Sequence, residues 1–165
     1  MATRVQDVEP FAGHSPTRER PLGGYASLMG VFLACVAGFV AWLRSSGRQL
    51  PDRVDPTDLA LMTLATHKAS RLTTKDRVTS AVRAPFTRYE EGADNEVARG
   101  RGVRRAVGEL IVCPYCIGLW IATVFAMGFV VAPRPTRWAA SVLSAVVGAD
   151  LLQIAYKKAE ESIAT

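Results

Sequence analysis

Nineteen consecutive residues, Tyr25–Leu43, carry no formal charge. At the helical rise of ~1.5 Å per residue this run covers ~28 Å, close to the ~30 Å hydrocarbon core of a bilayer. A surface helix of a water-soluble protein needs a charged or polar face, and this stretch offers none. The run therefore predicts a transmembrane helix over 25–43. It starts too far into the chain, is too long and lacks the small-residue cleavage site expected of a secretory signal. Gly30, Ala34 and Gly38 recur every four residues and give the helix a smooth stripe where a second helix can approach. Cys35, in mid-helix, reads as a buried, inert thiol.

The 165 residues are 49% hydrophobic yet 21% charged, a mixture that suits a membrane protein whose charge is confined to its loops. The net charge of +5 fits nucleic acid, anionic lipid or the Lys/Arg excess of cytoplasmic loops, so the placement of the charges decides. Three cysteines is an odd number and argues against a secreted disulfide framework.

Residues 1–24 are polar and turn-rich and read as a flexible N-terminal tail, with His14 as a solvated side chain. Asp55-Pro56-Thr57-Asp58 is a helix start: Asp55 caps, Pro56 suits the first helical position, and Asp58 favours the first turn. The helix that follows, to about Leu72, carries His67, Lys68 and Arg71. It either crosses the membrane with its basic end reaching the cytoplasmic headgroups, or lies in the interface. Thr73–Arg105 reads as the main loop, with a flexible acidic middle at Glu90, Glu91, Asp94 and Glu96. Its Arg77, Arg83, Arg88, Arg101, Arg104 and Arg105 are expected to meet anionic lipid heads or a partner. The acidic cluster interrupts the basic stretch and aromatic residues are few, which argues against nucleic acid.

Ala106–Ala132 reads as the next helix, Pro133–Arg137 as a tight external turn, and Trp138–Tyr156 as the last helix with interfacial aromatics at both ends. Ala140, Ser144 and Gly148 form a second small-residue stripe, a candidate mate for the first helix or for self-association. Residues 157–165 form a short charged tail. The expected fold is an all-α integral membrane bundle of four transmembrane helices, alternatively three with the second helix interfacial. Counting basic residues does not choose between these, but puts loop 73–105 and the C-terminus on the cytoplasmic side in both.

Several stretches carry a family likeness. They are Ala65-Thr-His-Lys-Ala-Ser-Arg-Leu72, Asp76-Arg-Val-Thr79, Arg83-Ala-Pro-Phe86, Arg88-Tyr-Glu90, Gly108-Glu109, Cys113-Pro-Tyr-Cys116 and Gly118-Leu-Trp120. Through them the region 55–156 resembles a bacterial family of small membrane proteins known only as domain of unknown function 1360. The resemblance implies a membrane location and brings no established activity with it. Residues 1–54 fall outside it.

Two constellations have chemical potential. Cys113 and Cys116 are three residues apart, which on a helix puts both on one side, near disulfide or soft-metal reach. If a helix starts afresh at Pro114, Cys113 sits at its positive end. The pair reads as packing cysteines, redox-active thiols, or part of a zinc or iron site. The last needs further ligands, and His67 is the only histidine in the family-like region, so such a site calls for a second chain. The Cys-Pro-Tyr-Cys string is also similar to a glutaredoxin active site, but without the strand–helix context that site requires. The second constellation is ionic: His67, Lys68, Arg71, Glu109 and Asp150 all fall in the inner leaflet in the four-crossing arrangement. Charges in hydrocarbon pair or line a polar cavity, so Asp150 forms an ion pair with Lys68 or Arg71, or belongs to a polar site for a lipid headgroup, proton or ion.

No nucleophile–base pair is recognisable. The sequence is read as a non-enzymatic accessory or assembly subunit of the bacterial inner membrane. The alternative is a thiol redox or metal-binding membrane protein using Cys113 and Cys116.

Overall fold

The computed structural model describes residues 21–90 and 96–163. Residues 1–20 with His14, and Glu91 and Asp94 of the acidic cluster, lie outside the described residues, whereas Leu22–Gly24, read as the end of the flexible tail, are helical. The chain is mostly helical: α1 (Leu22–Ser45), α2 (Pro56–Lys75), α3 (Ser80–Arg83), α4 (Gly102–Val112), α5 (Pro114–Val131) and α6 (Pro133–Ile163). A 3-10 turn (Arg77–Thr79) precedes α3, and the strands β1 (Thr87–Arg88) and β2 (Val97–Ala98) pair antiparallel.

Among the described residues three helices are long and apolar enough to cross a membrane: α1, α5 and α6. Large apolar side chains along them, such as Leu33, Leu119 and Leu151, face outward, and none of α5 is buried within the chain. The few fully buried side chains are mostly small or polar, among them Ala65, Ala106, Ala140 and Ser70. That inversion of a water-soluble core is what lipid as solvent permits. At 20 residues α2 has the length, but Asp58, His67, Lys68, Arg71 and Lys75 keep it out of this apolar set. Four apolar crossings are therefore not reproduced.

The chain forms two compact units. The first joins the described residues up to Arg48 with those of Thr73–Cys116; the second joins Gln49–Leu72 with those from Ile117 onward. In the first unit α1 lies against α4, and α4 in turn against β2. Both contacts rest on missing side chains. A Cβ on Gly24 would meet Ala106 Cβ and Gly102 O, each at 2.8 Å, and one on Gly108 would meet Phe86 O at 2.5 Å and Ala98 Cβ at 2.8 Å. Only glycine allows backbones so close.

In the second unit α2 begins as its sequence dictates. Asp55 Oδ1 accepts the amides of Thr57 (2.8 Å) and Asp58 (3.3 Å), so the cap satisfies two orphan donors. Three residue pairs then join α2 to α6 in step. Arg137 donates to both oxygens of Asp58 (2.7 and 2.6 Å), Ser144 Oγ donates to Leu61 O (3.3 Å), and Lys68 Nζ donates to Asp150 Oδ2 (2.8 Å). Residue numbers rise together in these pairs, so α2 and α6 run parallel. A Cβ built on Gly118 of α5 would lie 3.5 Å from Ser70 Oγ, near the opposite end of α2 from Asp58, so α5 runs antiparallel to both.

Boundaries towards the C-terminus also differ from the sequence reading. The helix expected over Ala106–Ala132 is two helices, because Pro114 disfavours helical dihedrals at the residue before it and Cys113 is extended (φ −105°, ψ 107°). The turn expected at Pro133–Arg137 is the first turn of α6, where prolines lose no hydrogen bond, so α5 and α6 meet at Ala132. And α6 continues past Tyr156 to Ile163.

Candidate functional site

The segment read as the main loop, together with α4, carries a folded module over 73–112. At its centre is Arg83, whose side chain is 4% exposed. Its Nε and Nη2 donate to the two oxygens of Glu96 (3.1 and 2.8 Å). Its Nη1 reaches Thr73 O (2.8 Å), Asp76 O (3.1 Å) and Thr79 Oγ1 (2.6 Å). Thr87 Oγ1 donates to Glu96 Oε2 at 2.6 Å. A buried charge is tolerable only when paired and hydrogen-bonded in this way. The Arg83 guanidinium, with help from Thr87 and Tyr89, holds the Glu96 carboxyl below its ordinary value against the opposing effect of burial.

Arg83 thus departs from the surface role expected of it: it is the centre of the module. Arg104 is also engaged, donating from Nε and Nη2 to Pro85 O (3.0 and 2.6 Å). Arg105 pairs with Glu109 one turn on (3.0 Å), and the Tyr25 hydroxyl donates to the same carboxylate, tying α1 to α4. Sequence reasoning missed Tyr25 and Glu96 as partners, since neither lies at a helical spacing from its mate. Arg77, Arg88 and Arg101 remain exposed; Arg88 makes a long contact to Glu90 at 3.7 Å. Beside them stand exposed Val78 (88%), Val82 (76%) and Tyr89 (72%).

The cysteine pair sits where α4 ends and α5 begins. Cys113 and Cys116 form a disulfide, with Cα atoms 5.2 Å apart. The Cys116 amide points at Cys113, 3.2 Å from Sγ and 3.1 Å from the carbonyl oxygen. Among the described residues no group of three or more His, Cys, Asp or Glu side chains gathers as a metal site.

In the second unit Lys68 and Asp150 are joined, while His67 and Arg71 of α2 stay exposed. The Asp150 side chain is 46% exposed against 16% for Lys68, so the carboxylate opens to the surroundings of the helices. Thr66 Oγ1 is buried with no hydrogen-bond partner among the described residues, and nothing in the sequence flagged it. The stripes also fare differently from expectation. Ala140 and Ser144 are taken up within the second unit, Ser144 through its bond to α2, whereas Gly30 and Gly38 of α1 face open space. Cys35, expected to be buried, is exposed on α1.

Residues 61–156 match the family described as protein of unknown function (DUF1360). The chain belongs to that family. The matched segment runs from α2 to Tyr156 of α6, so it contains the folded module, the cysteine pair and the Lys68–Asp150 bridge, and leaves out α1. The chain is also similar to a sporulation protein, YjcA, of Bacillus subtilis (strain 168). The two are 27% identical over 107 residues, which cover 61% of this chain and 91% of that relative. No solved structure matches the chain.

Proposed function

We propose that this protein is a non-enzymatic, multi-pass component of a bacterial inner membrane, an accessory or assembly subunit that presents the 73–112 module to a partner protein at the cytoplasmic face. The observation that carries this is the division of labour among the module's arginines. Arg83, Arg104 and Arg105 are engaged internally, while Arg77, Arg88 and Arg101 are exposed, as are Val78, Val82 and Tyr89 in the same module. Apolar and basic side chains on a rigid support make a docking surface, and the basic part also favours anionic lipid heads.

The register of the second unit supports four crossings over three. Here α2 is matched along its length to α6 and lies antiparallel to α5, and its Asp58 and Lys68 are neutralised by Arg137 and Asp150. An interfacial helix lying across a bundle has no reason to keep such a register. With α2 crossing, the basic 73–105 segment and the C-terminus fall on one side, as the positive-inside bias expects. The Bacillus subtilis relative is named as a sporulation protein, and an assembly role is compatible with that process.

The test places a photo-activatable amino acid at Val82 in the full-length protein in living cells. The expected result is one discrete protein adduct that disappears when Arg77 and Arg88 are changed together to Glu. In the same strain Val82→Cys is expected to resist a membrane-impermeant maleimide in intact cells and to react in inverted vesicles. Labelling from outside, or adducts to lipid alone, would overturn the reading.

A further inference from the structure

Cys113 and Cys116 bracket the first turn of α5, and four features of that turn act on their sulfurs together. The chain breaks at Cys113, so its side chain lies at the positive end of an 18-residue helix. Pro114 takes the first helical position and adds no amide of its own there. The Cys116 amide therefore aims at Cys113 Sγ at 3.2 Å. Cys116 is exposed and Cys113 half-buried, and Tyr115 between the two is 92% exposed, so Cys116 is the more open of the pair. A disulfide kept for packing needs neither an exposed sulfur nor a built-in donor. A zinc site needs ligands beyond this pair, and no such cluster forms among the described residues.

We infer that Cys113 and Cys116 form a thiol–disulfide exchange site that passes two electrons between this chain and the dithiol/disulfide couple of a second protein. The two sulfurs have different roles. The incoming thiolate attacks Cys116 Sγ, the accessible one. The Cys113–Cys116 bond breaks, and Cys113 leaves with the electron pair, its negative charge met by the Cys116 amide and the α5 dipole. The partner's second thiolate then attacks the partner sulfur of the mixed disulfide and releases Cys116. Two electrons and two protons have moved from the partner dithiol, which is now a disulfide, to the cysteine pair. Run backwards, the same steps let Cys116 attack a partner disulfide and Cys113 resolve the mixed disulfide. The reaction is independent of the docking surface on the 73–112 module, since a small disulfide reports on it without any partner.

The experiment uses the full-length protein, purified in detergent and equilibrated in buffers spanning reduced to oxidised glutathione. Thiols are then tagged with a mass-shifting maleimide and mapped by peptide mass. The expected result is a single reversible transition in which Cys113 and Cys116 gain tags together, while Cys35 is tagged throughout. Dithiothreitol is expected to reduce the pair at least about tenfold faster than it reduces glutathione disulfide, because the leaving sulfur is stabilised. Reduced Cys113→Ser is expected to hold a lasting glutathione adduct on Cys116, whereas the wild type passes through that adduct to the internal disulfide. A pair that stays oxidised, or stays reduced, across the whole series would sink the inference. So would reduction no faster than that of glutathione disulfide, or tags blocked by bound zinc until a chelator is added. If the serine variant does not accumulate, the wild-type titration and rate decide alone.

Discussion

Two ion pairs in this protein are built from the same chemistry and placed in opposite circumstances. Arg83–Glu96 is enclosed, both side chains under a tenth exposed, with every bond of the guanidinium directed inward. Lys68–Asp150 is lopsided: the lysine is covered and the carboxylate is nearly half open. The first is architecture, because its two charges have no route to anything but each other and the carbonyls around them. The second joins two helices and leaves one acid facing outward, where lipid, water or a neighbouring helix can meet it. An enclosed pair is costly to break because the survivor is stranded; an open one lets the survivor find another partner.

That contrast can be broken by experiment. Arg83→Ala should have the largest effect, destabilising the 73–112 module by about 3–5 kcal/mol, since it strands a buried carboxylate. Limited proteolysis of the full-length protein in detergent should show new cleavage between residues 73 and 101. Unchanged protection would mean the pair is not what holds the segment.

A gentler break is acid. Because the Glu96 carboxyl is held below its ordinary value of 4.5, its contribution is fully present above that pH and is lost as pH falls through the lowered folded value. Protection of the module against hydrogen exchange should therefore be flat from neutral pH down to about 5 and fall only below it. A loss centred near neutral pH would point to some other group.

Lys68→Met should have the smallest effect, about 1 kcal/mol, because the surviving Asp150 is the open partner and polar contacts between membrane helices are modest. Adding Asp150→Leu to Lys68→Met should keep stability within about 1 kcal/mol of the parent, because no unpaired charge remains. A double change as damaging as Arg83→Ala would make Lys68–Asp150 the enclosed kind of pair after all.

What the sequence showed, and what it hid, follows the range of the forces involved. The span over 25–43 was visible because charge is absent from a contiguous run, and the start of α2 because Asp55 and Pro56 act on their own neighbours. The break at Cys113 had a local cause, Pro114, but lay inside so apolar a stretch that a single helix was the natural reading. The 73–101 module was illegible for a different reason. Its strands are two residues long, too short for any alternation, and its organiser is a side-chain pair 13 residues apart with no periodicity to announce it. Asp150 was singled out as an acid in an apolar run, yet only the fold chose Lys68 over Arg71 as its mate. Glycines behaved likewise: Gly24 and Gly108, unremarked as packing points, lie close against neighbouring backbone, while the more regular Gly30 and Gly38 meet nothing within 4 Å.

The length of α6 sets a height. Its 31 residues make a rod of about 46 Å, and a hydrocarbon core takes up only about 30 Å of it. Set in a bilayer, such a rod carries its last two turns, Lys157 to Ile163, clear of the lipid as a stalk. Whatever is fused or bound at that end is held at a nearly fixed distance from the membrane rather than on a loose tether, so shortening the stalk by one turn would draw it about 5 Å closer and rotate it by little.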